Sequence, residues 1–278
     1  MEVMLWSALV LGGLGIVAAF VLYIVARFFR VDEDERVAVI EELLPGANCG
    51  ACGRSGCHDF AQACVNATSL EGLCCPGAGA EVMARIADIV GLTAVSSDPQ
   101  VAVIKCAGSC DKRAVVAGYS GVRRCSVVAL TGAGPESCSY GCLGCGDCVD
   151  VCPFGAMEMD SATGLPVVIE QKCVGCGKCV EACPRGIVEV RSRGRKNLRV
   201  WVACSNRSKG AVARKDCKVA CIGCGLCVKA CPFDAVTISD SLAHVDPAKC
   251  RLCRKCVAVC PSGAIQTANF PVPIKSLN

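Results

Sequence analysis

The chain has 278 residues, of which 28 are cysteines. Cysteine this dense is typical either of a secreted disulfide scaffold or of a metal-binding framework. Only two histidines are present, which disfavours zinc sites of the mixed Cys/His kind. The formal net charge of +4 does not indicate nucleic-acid binding, because thiolate-bound clusters would add negative charge for the basic residues to balance.

Residues 3–26 contain no charged side chain. A stretch of this length predicts one helix spanning the roughly 30 Å hydrocarbon core of a bilayer. A cleaved signal peptide fits less well, because the apolar run is too long and is preceded by Glu2 and no basic residue. Arg27 and Arg30 follow directly, which predicts a cytoplasmic C-terminal part and makes residues 1–30 a membrane anchor.

Residues 31–92 have the pattern of a small helical domain around one metal cluster. Acidic residues 32–35 open an amphipathic helix, and further helices are predicted around 59–65 and 81–90. The predicted ligands are Cys49, Cys52, Cys57 and either Cys74 or Cys75. The second of the last pair is preferred because Pro-Gly follows it. Cys64 is expected to be a buried free thiol, and a zinc knot is the alternative for the whole site.

One cysteine motif, called a phrase below, occurs four times in the second half of the chain. Its cysteines are separated by two, two and three residues, and proline follows the last one. This spacing is typical of bacterial ferredoxins, in which three cysteines hold one [4Fe–4S] cluster and the fourth ligates the neighbouring cluster. The fourth cysteine is expected to begin a helix.

Exchanging the fourth cysteine within each pair of phrases predicts four ligand sets. They are Cys142, Cys145, Cys148 with Cys183; Cys173, Cys176, Cys179 with Cys152; Cys221, Cys224, Cys227 with Cys260; and Cys250, Cys253, Cys256 with Cys231.

A segment ahead of the first phrase adds further cysteines after a strand predicted at 101–104. The candidate sixth ligand set is Cys106, Cys110, Cys125 and Cys138, with buried inert thiols as the alternative. An offset of 79 residues aligns Cys125 with Cys204 and Cys138 with Cys217. The sequence suggests no ligand partners for Cys204 and Cys217.

These features predict an α+β protein with seven segments, built on internal repetition. They are a transmembrane anchor (1–30), a helical four-iron–four-sulfur domain (31–92), a cysteine-containing connecting segment (93–137), a first dicluster ferredoxin module (138–190), a basic hairpin or linker (191–216), a second dicluster module (217–268) and a tail (269–278).

The order of these parts resembles the RnfB component of the Rnf membrane complex, also called Rsx, in its long form. The N-terminal motif that carries the resemblance is Gly46-x-Asn48-Cys49-Gly50-x-Cys52-Gly53-x-x-Gly56-Cys57. The resemblance implies an ion-translocating ferredoxin:NAD⁺ oxidoreductase in the cytoplasmic membrane. This component would relay single electrons between soluble ferredoxin and the flavin and membrane subunits, using five [4Fe–4S] clusters and a candidate sixth. Cys145 is a departure, since long forms often lack a cysteine there.

The segment 191–218 holds ten basic residues and one acidic residue. Because soluble ferredoxins are usually acidic, it is a candidate docking face, and a solvated hairpin balancing cluster charge is the alternative. The residues at its tip are Arg191, Arg193, Arg195 and Lys196.

Two other functions fit the same motifs. One is a polyferredoxin subunit of another membrane redox complex, such as a hydrogenase, and the other is a reducing system for a redox-sensing regulator. The sequence has no dinucleotide fingerprint and no phosphate loop. Flavin and nicotinamide chemistry is therefore expected on partner subunits, and no catalytic residue is predicted on this chain.

Overall fold

The fold is taken from a computed structural model, which describes residues 2–28, 33–93, 98–132 and 134–271. Arg30 and most of the predicted tail lie outside these residues. The described helices are α1 (Glu2–Phe28), α2 (Glu35–Leu43), α3 (Cys57–Asn66), α4 (Gly79–Val90), α5 (Cys125–Leu130), α6 (Asp147–Asp150), α7 (Lys178–Glu181), α8 (Gly210–Asp216), α9 (Leu226–Ala230) and α10 (Lys255–Ala258). The strands are β1 (Gln100–Ile104), β2 (Met157–Asp160), β3 (Leu165–Val168), β4 (Val188–Ser192), β5 (Arg199–Val202), β6 (Val236–Ser239), β7 (Leu242–Val245) and β8 (Ile265–Ala268).

Helix α1 is long and apolar enough to cross a membrane. Its segment Leu9–Phe28 has 20 residues with a mean hydropathy of 2.6, and it packs against no other part of the described chain. At 1.5 Å per residue this segment is about 30 Å long, which matches the hydrocarbon thickness of a bilayer.

Helices α2, α3 and α4 pack into a small domain whose centre is formed by Ile40, Phe60 and Ile86, each at most 1% exposed. Asp34 caps α2, because its carboxylate accepts a hydrogen bond of 2.9 Å from the amide of Arg36. Gly91 ends α4 in the left-handed conformation. All three predicted helices are confirmed.

Each ferredoxin module is closed by a strand that precedes its first cysteine phrase. Strand β1 pairs antiparallel with β4, and β5 pairs antiparallel with β8. The hairpins β2–β3 and β6–β7 lie between them in the chain. The predicted boundaries at residues 138 and 217 leave β1 and β5 outside the modules, whereas their pairing makes them part of the two sheets.

The short helices of the modules lie before the fourth cysteine of each phrase. Helices α6, α7, α9 and α10 carry the third cysteine and end ahead of the fourth. The expectation that the fourth cysteine begins a helix is therefore wrong. The proline after it disfavours helical backbone at that cysteine, and Cys231 has extended backbone at the end of α9.

The repeat alignment by an offset of 79 residues is wrong for Cys125. Cys106 lies two residues after β1, as Cys204 lies two residues after β5. The amide of Cys142 donates to the Cys106 sulfur at 3.5 Å, and the amide of Cys221 donates to the Cys204 sulfur at 3.3 Å. Cys106 is thus the counterpart of Cys204, and the insertion that carries α5 shifts the numbering between them.

Candidate metal centres

Two cavities in the modules are each lined by one complete predicted ligand set. The cavity in the first module is lined by Cys152, Cys173, Cys176 and Cys179. The cavity in the second module is lined by Cys221, Cys224, Cys227 and Cys260. In both cavities the fourth cysteine comes from the other phrase of the same module, as the exchange pattern requires.

A third cavity is lined by a set of cysteines that differs from the predicted ligand set. Its cysteines are Cys125, Cys142, Cys148 and Cys183, and Cys145 does not line it. Burial and the neighbouring Cys125 thiol raise the pKa of Cys145 to about 11. This centre therefore has five thiols nearby, one more than a cluster needs.

Helix α5 brings Cys125 to this cavity. The Asp147 carboxylate accepts hydrogen bonds from the amides of Cys125 and Ser126, at 2.8 and 3.0 Å. These bonds cap the helix and join it to α6, which carries Cys148. The cap fixes the added thiol against the first cysteine phrase.

The remaining ferredoxin-type set is also brought together. Burial raises the pKa of Cys256 to about 12, with contributions from the thiols of its neighbours. These neighbours of Cys256 include Cys250 and Cys253, which belong to the same phrase. They also include Cys231, the predicted ligand from the other phrase.

The N-terminal domain gathers its cysteines around the start of α3. The Asn48 side chain accepts a hydrogen bond of 2.7 Å from the amide of Cys57. Burial raises the pKa of Cys75, and the nearby thiols of Cys52 and Cys49 add to the effect. This grouping favours Cys75 as the fourth ligand, and Cys64 is fully buried in the core, as expected of a structural thiol.

The candidate sixth set is not brought together. The thiol of Cys110 is exposed and donates to the carbonyl of Thr163 at 3.3 Å, and Cys125 lies at the first cluster cavity. Cys106 and Cys138 instead face the second module, where the thiol of Cys217 is their neighbour.

The chemistry of these sites suits [4Fe–4S] clusters. The donors are soft thiolates, which select iron–sulfur clusters or zinc. Backbone amides also point at the ligand sulfurs, as those of Gly144 at Cys142 and Ala156 at Cys152 do, at 3.4 and 3.3 Å. Hydrogen bonds of this kind tune iron–sulfur centres.

A glycine allows one of these cysteine loops to pack closely against the turn between β6 and β7. Gly223 has a φ of +64°, and a Cβ there would lie 2.7 Å from the carbonyl oxygen of Ser241. Only glycine fits this position without strain.

Within the described ranges, no three Cys, His, Asp or Glu side chains converge as ligands of a single ion do. Cluster ligands need not converge in this way, because they lie at the corners of a larger group.

Two arginines that the sequence pattern did not indicate, the buried Arg113 and the half-buried Arg185, hold the loop at the start of the first phrase. Arg113 forms an ion pair with Glu136 and donates to the carbonyl of Cys142. Arg185 donates to the carbonyls of Cys138 and Gly141, the latter at 2.8 Å. Only folding brings the partners of these two arginines together, so the sequence pattern does not identify them.

The candidate docking residues divide into two pairs. Arg191 is bound to Glu189 at 2.7 Å, and Arg193 donates to the carbonyls of Glu170 and Cys173, both at 2.6 Å. Arg195 and Lys196 are exposed at the turn between β4 and β5.

Family models for iron–sulfur domains match the cysteine-rich parts of the chain. A "4Fe-4S dicluster domain" matches residues 141–187 and 220–264, and a "4Fe-4S double cluster binding domain" matches residues 172–234. A third model, for an Fe–S cluster segment, matches residues 44–76. The fold and the sites thus define a protein that carries multiple [4Fe–4S] clusters and transfers electrons.

Curated relatives narrow this class. The chain is 43% identical to the B component of the proton-translocating ferredoxin:NAD⁺ oxidoreductase complex of Clostridium ljungdahlii, over 91% of this chain and 88% of the relative. It is 42% identical to the B component of the Na⁺-translocating complex of Acetobacterium woodii, over 92% and 75%. It is 37% identical to the B component of the ion-translocating oxidoreductase complex of Methanosarcina acetivorans, over 95% and 98%. The chain belongs to this RnfB family of Rnf-type ion-translocating oxidoreductase complexes, and other subunits of such a complex are its partners.

Proposed function

We propose that this chain relays electrons between a soluble ferredoxin and the flavin and membrane subunits of an ion-translocating ferredoxin:NAD⁺ oxidoreductase. Two relatives are named as components of complexes with this activity, one translocating protons and the other Na⁺. The two relatives differ in the translocated ion and share the ferredoxin:NAD⁺ electron path.

The observation that carries the proposal is the lining of the module cavities by cysteine sets with an exchanged fourth member. The chain would hold five clusters, four in the two modules and one in the N-terminal domain. When bound, such clusters supply reversible one-electron transfer. The part of the polypeptide is to hold them in a fixed order and to shield them from water.

The N-terminal set lies beside the first module. A Cβ built on Gly77 would lie 3.4 Å from Cζ of Phe154, which follows the first cysteine phrase. Burial is the main cause that raises the pKa of Cys176, and the nearby thiol of Cys49 contributes to the same shift. These contacts support a path from the N-terminal domain into the first module.

The membrane attachment would run through α1, with the clusters on the cytoplasmic side. Arg27 lies in the last turn of this helix, and positive residues that follow a span favour the cytoplasm. The cytoplasm also keeps thiols reduced and therefore suits so many cysteine ligands.

Ferredoxin would dock at the turn that carries Arg195 and Lys196. These side chains are exposed, whereas Arg191 and Arg193 are held by the partners described above. Steering by surface charge acts on the rate of encounter and weakens as salt rises.

The test is ferredoxin-dependent NAD⁺ reduction by membranes that contain the whole complex. Arg195→Glu combined with Lys196→Glu should slow the reaction about three- to tenfold at low salt, and the difference should vanish at high salt. Arg85→Glu, an exposed reversal on α4, is the control and should leave the rate unchanged. If the double variant reacts at the wild-type rate at low salt, ferredoxin docks at another surface. Full activity in membranes that lack this chain would overturn the function itself.

A further inference from the structure

Four cysteines from different parts of the chain meet between the two ferredoxin modules. Cys106 and Cys138 belong to the first module, and Cys204 and Cys217 belong to the second. Cys138, Cys204 and Cys217 are 5%, 9% and 8% exposed. Two of the four were left without any role by the sequence pattern.

Backbone hydrogen bonds hold the two modules together at this point. The amide of Ala107 donates to the carbonyl of Ala203 at 2.9 Å, which joins the residues next to Cys106 and Cys204. The amide of Lys218, next to Cys217, donates to the carbonyl of Lys112 at 3.0 Å.

Further contacts bring the four sulfurs into one neighbourhood. A Cβ built on Gly108 would lie 3.1 Å from the Cys217 sulfur. The buried side chain of Asn206 donates to the Cys138 sulfur at 3.5 Å. The backbone amide of the same residue donates to the Cys204 sulfur at 3.5 Å. Asn206 is 1% exposed, and its side chain also donates to the Asp216 carboxylate at 3.3 Å and accepts from the amide of Ser208 at 2.8 Å, so its polar atoms are satisfied inside the protein.

The electrostatics agree with this geometry. Burial is the main cause that raises the pKa of Cys138, Cys204 and Cys217, and the thiol of Cys106 contributes at all three. The geometric link of Cys106 to this group is the Ala107–Ala203 hydrogen bond, which sets its backbone beside that of Cys204.

We propose that Cys106, Cys138, Cys204 and Cys217 hold an additional [4Fe–4S] cluster that bridges the two ferredoxin modules. The site repeats the features of the ferredoxin sites, namely four thiols in a buried pocket with N–H groups donating to sulfur. It also accounts for the cysteine inventory. Six sets of four use 24 of the 28 cysteines, which leaves Cys64, Cys74, Cys110 and one of the pair Cys125 and Cys145.

The four thiols lie where an additional cluster would connect the cluster sites of the two modules. Cys106 accepts a hydrogen bond from the amide of Cys142, a ligand in the first module, and Cys204 accepts one from the amide of Cys221, a ligand in the second. The four thiols thus lie between a cluster site of one module and a cluster site of the other. A cluster here would join two electron paths that are otherwise separate.

The inference rests on the proposed iron–sulfur function, and its test distinguishes the two. Iron, acid-labile sulfide and zinc are counted per full-length chain in the anaerobically purified complex, after subtraction of the metal on the other subunits from a complex lacking this chain. The wild type should hold about 24 irons, because six clusters contain four irons each. A count of about 20 overturns the additional cluster and leaves the function intact, whereas the absence of iron overturns both.

Substitutions then locate the cluster. Cys138→Ser and Cys217→Ser, one in each module, should each remove about four irons and one spectroscopic centre while the other centres keep their signals. Cys110→Ser is the matched control and should lose none. Wild-type iron in both test variants, or zinc bound at this site, would overturn the proposal. If one variant fails to accumulate, Cys106→Ser or Cys204→Ser replaces it, and the wild-type count needs no variant.

Discussion

The two ferredoxin modules share one plan and differ in the loop that follows the first strand. In both, a cysteine two residues after that strand accepts a hydrogen bond from the amide of the first cysteine of the next phrase. The bond spans 36 residues between Cys106 and Cys142, and 17 residues between Cys204 and Cys221. The longer loop carries α5 and Cys125. The module thus tolerates an insertion at this point because the sheet and the N–H···S bond fix both ends of the loop, and lengthening a closed loop costs little.

The two halves of the interface between the modules are also unequal. Gly108 and Asn206 occupy equivalent positions, each two residues after the cysteine that follows the closing strand. A side chain at Gly108 would approach the Cys217 sulfur, whereas the Asn206 side chain donates to the Cys138 sulfur. One module supplies space for a sulfur, and the other supplies a hydrogen-bond donor.

The largest expected effect tests what the modules share. Cys152→Ser and Cys231→Ser remove equivalent exchanged ligands, so each should lose about four irons and most of the electron-transfer activity. Cys64→Ala, which changes a buried thiol outside the predicted sets, should keep its full iron content. Iron and sulfide analysis of the purified complex measures the effect. Unequal losses at the two equivalent positions would show that the modules do not assemble their clusters alike.

A second experiment tests what the insertion adds. In the second module, Cys224→Ser should remove about four irons, because Cys224 lines its cavity. Its counterpart Cys145→Ser should keep the iron, since Cys125 lines the equivalent cavity of the first module. Cys125→Ser should then behave like Cys224→Ser. The opposite result, iron lost with Cys145→Ser and kept with Cys125→Ser, would show that Cys145 is the ligand and Cys125 is not.

Much of this architecture could be predicted from the cysteine spacing and from helical periodicity. The four phrases indicated the two modules because three of the four ligands of each cluster come from one short phrase, in which few spacings are possible. The equivalence of Cys106 and Cys204 was missed, because it depends on which strands pair and an insertion hides it from any constant offset. The division of the basic segment was missed for a similar reason. Arg193 is held by the carbonyls of Glu170 and Cys173, and only folding brings these groups together.

The smallest expected effect concerns the unequal halves of the interface. If a cluster is bound there, Asn206→Leu removes the side-chain amide that donates to the Cys138 sulfur and to the Asp216 carboxylate. The reduced cluster carries more negative charge than the oxidised one, so an N–H donor stabilises reduction and its loss should lower the potential. A hydrogen bond worth about 1 kcal/mol corresponds to a shift on the order of 40 mV for a one-electron couple. A redox titration followed by EPR measures this shift.

The control for this titration is Ser205→Ala, at the neighbouring residue. The Ser205 hydroxyl also donates across the interface, at 3.0 Å, but to the carbonyl of Lys105. Its loss weakens the contact between the modules without removing a donor to sulfur, so the potential should stay within error of the wild type. Equal shifts in both variants would mean that packing at the interface sets the potential. An unchanged potential in Asn206→Leu would reduce Asn206 to a structural residue.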